Sequence, residues 1–179
     1  MRLFLLISFG LFINESVCSQ TTDNAIRDIK TYVNKIDSLC SIKTWLTADK
    51  ALLIPTISEG AIENKKRGLK GGFSNETVTS PDIDTVYLIK RSDNLDKYLI
   101  ESYYFKNDKL VFSKIELQDG ENERKTLFLR QDYFKDDKVI STTFDKNELK
   151  KKYKWRTDFD PLTNGYFYYK EFKKNRITK

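Results

Sequence analysis

The chain contains no histidine, and that one absence removes several chemistries together. Ser-His-Asp and Cys-His nucleophile systems, histidine-bearing zinc sites and imidazole acid/base work all need the missing ring. Carboxylates remain, and a pair of them flanking a scissile bond can hydrolyse a glycoside. Glu59, Asp82, Asp84, Asp158 and Asp160 are the candidates. Their spacing fixes no pair, and no nucleophile, base and orienter occur together, so a carboxylate-based hydrolase ranks behind a binding role.

Two further stretches invite comparison with ligand sites. Lys65-Lys66-Arg67-Gly68-Leu69-Lys70-Gly71-Gly72-Phe73-Ser74 sets glycines among cations, as phosphate cradles do. Both GxxxxGK[ST] and GxGxxG are missing from it, so it reads as a solvated hairpin turn leading into a glycine-relaxed strand. From Asp158 to Gly165 the carboxylates suggest a calcium loop, yet Leu162, Thr163 and Tyr169 stand at the fifth, sixth and twelfth positions, where that loop needs a ligand, a glycine and a glutamate. No metal, cofactor or catalytic residue is expected. Asn75-Glu76-Thr77 fits the glycosylation sequon, which matters only in a eukaryotic secretory pathway.

The formal net charge is +6, and the segment Lys146–Lys179 carries the whole excess. Lys150, Lys151, Lys152, Lys154, Arg156, Lys173, Lys174 and Arg176 are the candidate anion-binding residues, facing acidic glycan, lipid headgroups or, last in rank, nucleic acid. The plainer reading of such a run is a solvated face. Tyr166, Phe167, Tyr168 and Tyr169 are the candidate partner surface, against the alternative of core and cross-strand pairs.

These residues need elements to position them. Arg2, the apolar run Leu3 to Ile13 and the small residues up to Ser19 describe a secretory signal over residues 1–19, cut to leave Gln20 first. The run is shorter than the roughly twenty apolar residues a membrane span requires. A lipoprotein cut at Cys18 ranks second, because Glu15 stands where a leucine is usual. The expected location is therefore secreted or periplasmic. Residues 20–179 read as a single domain with no linker.

Within it Ile26, Ile29, Val33, Ile36 and Cys40 recur at helical spacing, so an amphipathic helix is expected over 23–40, with Cys40 a small core residue. The segment 41–58 follows neither period until a first strand enters Ser58–Ile62, with Pro55 near an edge. Aromatic and β-branched runs then predict strands at 85–90, 98–105, 110–117, 125–134, 138–144 and 165–172. Asp145-Lys146-Asn147-Glu148 has the spacing of a capping box before a short helix through Lys152.

Phe105-Lys106-Asn107-Asp108-Lys109-Leu110-Val111 recurs as Phe134-Lys135-Asp136-Asp137-Lys138-Val139-Ile140 and, more loosely, from Phe172 to Thr178. Each copy reads as a tight hairpin. With Ser58-Glu59-Gly60 and Gly71-Gly72-Phe73, these repeats make the chain resemble a group of small exported bacterial proteins of unassigned function. MORN-like repeats are similar in texture, but their Gly-x-Gly and Trp positions are missing. The resemblance implies export and an α+β domain and carries over no site residue.

The expected fold is α+β: the N-terminal helix packs on a single antiparallel β-meander of repeated hairpins. One face takes the helix, and the other is left partly wet for a partner. The expected function is non-enzymatic binding or structure at the envelope or exterior.

Overall fold

Two near-identical turns set the register of the sheet. Asn107 and Asp108 hold positive φ angles of 52° and 62°, and Asp136 and Asp137 repeat them at 49° and 60°. A two-residue loop with both residues left-handed matches the twist of the strands it joins, and Asn and Asp tolerate that conformation best after glycine. The computed structural model describes residues 3–41, 53–120, 125–145 and 153–177, with side chains from Thr21 to Arg176.

The elements are α1 (Leu3–Ser41), β1 (Ile54–Asn64), β2 (Leu69–Thr79), β3 (Val86–Asp93), β4 (Tyr98–Lys106), β5 (Lys109–Gln118), β6 (Thr126–Lys135), β7 (Lys138–Asp145), α2 (Lys154–Thr157) and α3 (Pro161–Ile177). The seven strands form one antiparallel sheet in sequence order, β1 to β7. The expected α+β class, leading helix and meander are all present. The glycine-rich basic segment is the β1–β2 turn, with Gly68 at a φ of 64°.

Strand alternation gives the sheet two apolar faces. On one, Val33 and Ile36 of α1 are buried with Val78, Leu88, Tyr104, Phe112 and Tyr133, while Ile26, Ile29 and Cys40 pack at the margin. Tyr32 adds a hydroxyl bond of 2.5 Å to the Phe105 carbonyl. On the other, Leu99, Tyr103, Phe105, Leu110, Ile115, Leu117, Phe128 and Phe134 form the larger core.

That second face corrects three expectations. Residues 165–172 are not a strand, and the loose third hairpin from Phe172 is not a hairpin: both belong to α3. Asp160 accepts bonds from the Leu162 and Thr163 amides (3.2 Å each), and Pro161 opens the helix, where its missing N–H leaves nothing unsatisfied. Gly165 lets α3 lie close, since a Cβ there would stand 2.9 Å from the Tyr103 ring. The face left for a partner is therefore covered by the chain's own Leu162, Tyr166, Tyr168, Tyr169 and Phe172. The expected capping box and the helix through Lys152 fall largely on residues 146–152, outside the described residues.

Candidate functional site

Cross-strand pairing sorts the α1 side of the sheet into rows. Val78, Leu88, Tyr104, Phe112 and Tyr133 stand opposite one another in turn and make the apolar row under α1. Two positions along each strand, Glu76, Lys90, Ser102, Lys114 and Gln131 make a parallel polar row. Because the side-chain period of a strand is two, both rows share one face. α1 covers the first row and leaves clefts beside the second.

A cleft of about 310 Å³ lies among Asp37 and Cys40 of α1 and Glu76, Lys90, Ser102, Lys114 and Glu116 of the strands. Another of about 350 Å³ shares Asp37, Tyr104 and Lys114 with it and reaches Lys30, Gln131 and Tyr133. Tyr104 joins wall to floor, donating to Asp37 Oδ1 at 2.6 Å. Burial, followed by that carboxylate, holds the Tyr104 phenol well above its ordinary range. Burial first, then Glu76 and Asp37, pushes the Cys40 thiol up to about 11, so it stays protonated and poorly nucleophilic. At Glu116 burial works upward, but bonds from Gln118, Lys114 and Thr126 outweigh it and lower the carboxyl's pKa. Lys114 and Glu116 pair at 3.1 Å. The clefts thus offer fixed charges of both signs and hydroxyls, an inventory suited to hydrogen-bonded recognition.

The residues picked out by sequence divide. Arg156 is buried, with Nη2 2.5 Å from Asp93 Oδ1 and 3.2 Å from the Lys97 carbonyl, so it faces inward and not toward an anion. Lys173 donates to the Asp84 carbonyl and Arg176 to the Ile83 carbonyl, so both are engaged in holding the β2–β3 loop. That loop needs holding, because Ile83, a β-branched residue, sits at a φ of 62°. Lys154 and Lys174 are exposed, Lys154 lying 3.6 Å from Asp158. Lys150, Lys151 and Lys152 lie outside the described residues.

Of the aromatic set, Tyr166 donates to Asp137 at 2.5 Å, Tyr169 donates to Asp108 at 2.7 Å and Tyr168 accepts from Arg91 at 3.0 Å. Only Phe167, 57% exposed, points to solvent. Tyr166, Tyr168 and Tyr169 therefore clamp α3 to the sheet. Glu59, Asp82, Asp84, Asp158 and Asp160 line none of the clefts described here. Asn75 of the sequon lies inside β2, with Thr77 buried.

Buried charges beneath α3 escaped the sequence reading. Asp132 is fully buried, with Arg130 Nε at 2.8 Å and Thr142 Oγ1 at 2.7 Å. Glu101, 4% exposed, accepts from Tyr103 at 2.5 Å, and burial raises its pKa above the usual carboxylate range. The available signal was position: Glu101 shares a strand face with Leu99, Tyr103 and Phe105. Among the described residues no cluster of three or more His, Cys, Asp or Glu could hold a metal ion, and no helix is long and apolar enough to cross a membrane.

No family model, curated protein or solved structure matches the chain.

Proposed function

We propose that this is an exported, non-enzymatic binding protein of the cell envelope or exterior, and that the clefts beside α1 are its contact site. The observation that carries the reading is the polar row Glu76, Lys90, Ser102, Lys114 and Gln131, along which α1 leaves two clefts sharing Asp37, Tyr104 and Lys114. Cavities of about 300 Å³ upward suit small ligands or a few side chains of a partner. The buried acids beneath α3 are bonded to neighbouring side chains, and the Cys40 thiol is protonated, which favours binding over bond making.

A photo-crosslinking residue placed at Lys114, compared with one at Lys174 on the outer side of α3, tests the site in the producing cells. The expected result is a discrete adduct from position 114 and none from 174. Folded, exported protein that yields no adduct from 114, or the same adduct from both positions, overturns the reading.

A further inference from the structure

The β1–β2 turn and the segment carrying α2 lie far apart in sequence, yet the fold brings them to one corner. The Arg67 guanidinium stacks on the Trp155 ring at 4.5 Å, and Arg156 lies 5.3 Å from the same ring. The buried Arg156–Asp93 pair anchors α2, which holds the half-buried indole facing the turn. Around this stack Lys65, Lys66, Arg67 and Lys154 are exposed. Between Arg67, Leu69, Asp96 and Trp155 there is an open cavity of about 260 Å³.

We infer that this corner binds an acidic glycan. The space is of the order of one sugar ring, and its walls combine the two things a sugar presents. Leu69 and the part of the Trp155 indole that lines the cavity beside Arg67 offer apolar surface to the C–H groups of a pyranose. Asp96, exposed at a φ of 69°, offers carboxylate oxygens to ring hydroxyls. Arg67 then meets a carboxylate or sulfate with its planar fork, and Lys65, Lys66 and Lys154 extend the positive field to neighbouring units of the polymer. A bare ion-exchange patch would have no use for the apolar wall or for an acid at its centre, and this separates a glycan from a lipid surface or a nucleic acid. The corner shares no lining residue with the α1 clefts, so either site can fail without the other.

Oligogalacturonate and heparin are the probes, titrated against the purified protein at rising salt. Binding is expected to weaken with salt, since screening acts on the charge contacts. Arg67→Glu and the double change Lys65→Glu/Lys66→Glu, all at exposed turn positions, are expected to weaken it roughly tenfold or more. Lys170→Glu/Lys174→Glu on the outer side of α3 should leave it unchanged.

Asp96→Gly is the deciding variant, because glycine accepts the positive φ and removes only the carboxylate. A sugar site loses affinity when that acceptor goes, whereas an ionic patch gains affinity when a negative charge leaves. Tighter or unchanged glycan binding by Asp96→Gly therefore overturns the inference. So does the absence of binding to either glycan, or equal binding to phosphatidylglycerol vesicles or single-stranded DNA with the same ranking of variants.

Discussion

Arg156 shows how one side chain can mislead a reading of sequence and then organise a structure. It stands in a lysine-rich stretch, and by its neighbours it reads as part of a wet surface. In the fold it is 6% exposed beside Asp93 at 5%. Removing one member of such a pair leaves the other charge buried alone, which costs about 3–5 kcal/mol. Arg156→Met is therefore expected to lower unfolding stability by that amount in urea denaturation. Lys154→Ala, which breaks only the exposed i,i+4 pair with Asp158 at 3.6 Å, should lower it by less than about 0.5 kcal/mol. Equal effects of the two changes would mean that Arg156 does not work as an internal anchor. Cys40 was legible in part: the period of its helix puts it on the packed side, but it lies half-buried at the margin of the cluster and on a cleft wall, not in the core as expected. The partner of Arg156 lies on another strand, and no local pattern predicts that pairing.

Among elements, the hairpins were legible because turn chemistry is local: Asn-Asp and Asp-Asp between branched and aromatic runs fix both loop and register. α3 was missed because its Tyr and Phe residues have high strand propensity, and packing against a sheet overrode that preference. The contrary signals were Asp160-Pro161 at its start and the helical spacing of Leu162, Tyr166, Tyr169 and Phe172. Gly165 tests the packing. Alanine would favour the helix by about 1 kcal/mol, but its methyl would meet Tyr103 at 2.9 Å and Leu110 at 3.1 Å, both deep in the core. Overpacking of that kind costs about 1–3 kcal/mol, so Gly165→Ala is expected to lower the melting temperature, and a rise would show that α3 sits less tightly. The same element contributes to an alkaline limit, together with the buried phenols of Tyr32, Tyr103 and Tyr104. Burial pushes the Tyr168 phenol up to about 12, and burial followed by Asp108 raises Tyr169 also. A group whose folded pKa exceeds its unfolded value near 10 contributes stability fully below pH ~10, lost as pH rises through the folded value. Denaturant midpoints should thus fall above pH ~10, and the fall should be smaller in Tyr168→Phe; an identical fall in that variant would place the effect elsewhere.

At the scale of the molecule, the sheet carries a helix on each face, and on the α3 side the acids Glu101 and Asp132 are buried together with the apolar core. The α1 side is asymmetric, and the asymmetry could not be read beforehand, since the polar row exists only once five strands are in register. It also bears on where the functional chain begins. Among the described residues, every α1 side chain in the apolar cluster lies between Ile26 and Cys40, after the expected cut at Ser19. The cleft walls, Lys30, Asn34, Asp37 and Cys40, lie after it too. Residues 20–179 produced without residues 1–19 are therefore expected to unfold at the same denaturant concentration as the full chain and to keep the cleft. Intact mass of the protein recovered from the producing cells tests the processing expected from the sequence: a start at Gln20 would leave Cys40 as the only thiol, while a start at a lipid-bearing Cys18 would tether the chain to a membrane just before the packed stripe of α1. A mature form beginning beyond Ile26 would remove part of the stripe that holds α1 on the sheet, and with it the wall of the proposed contact site.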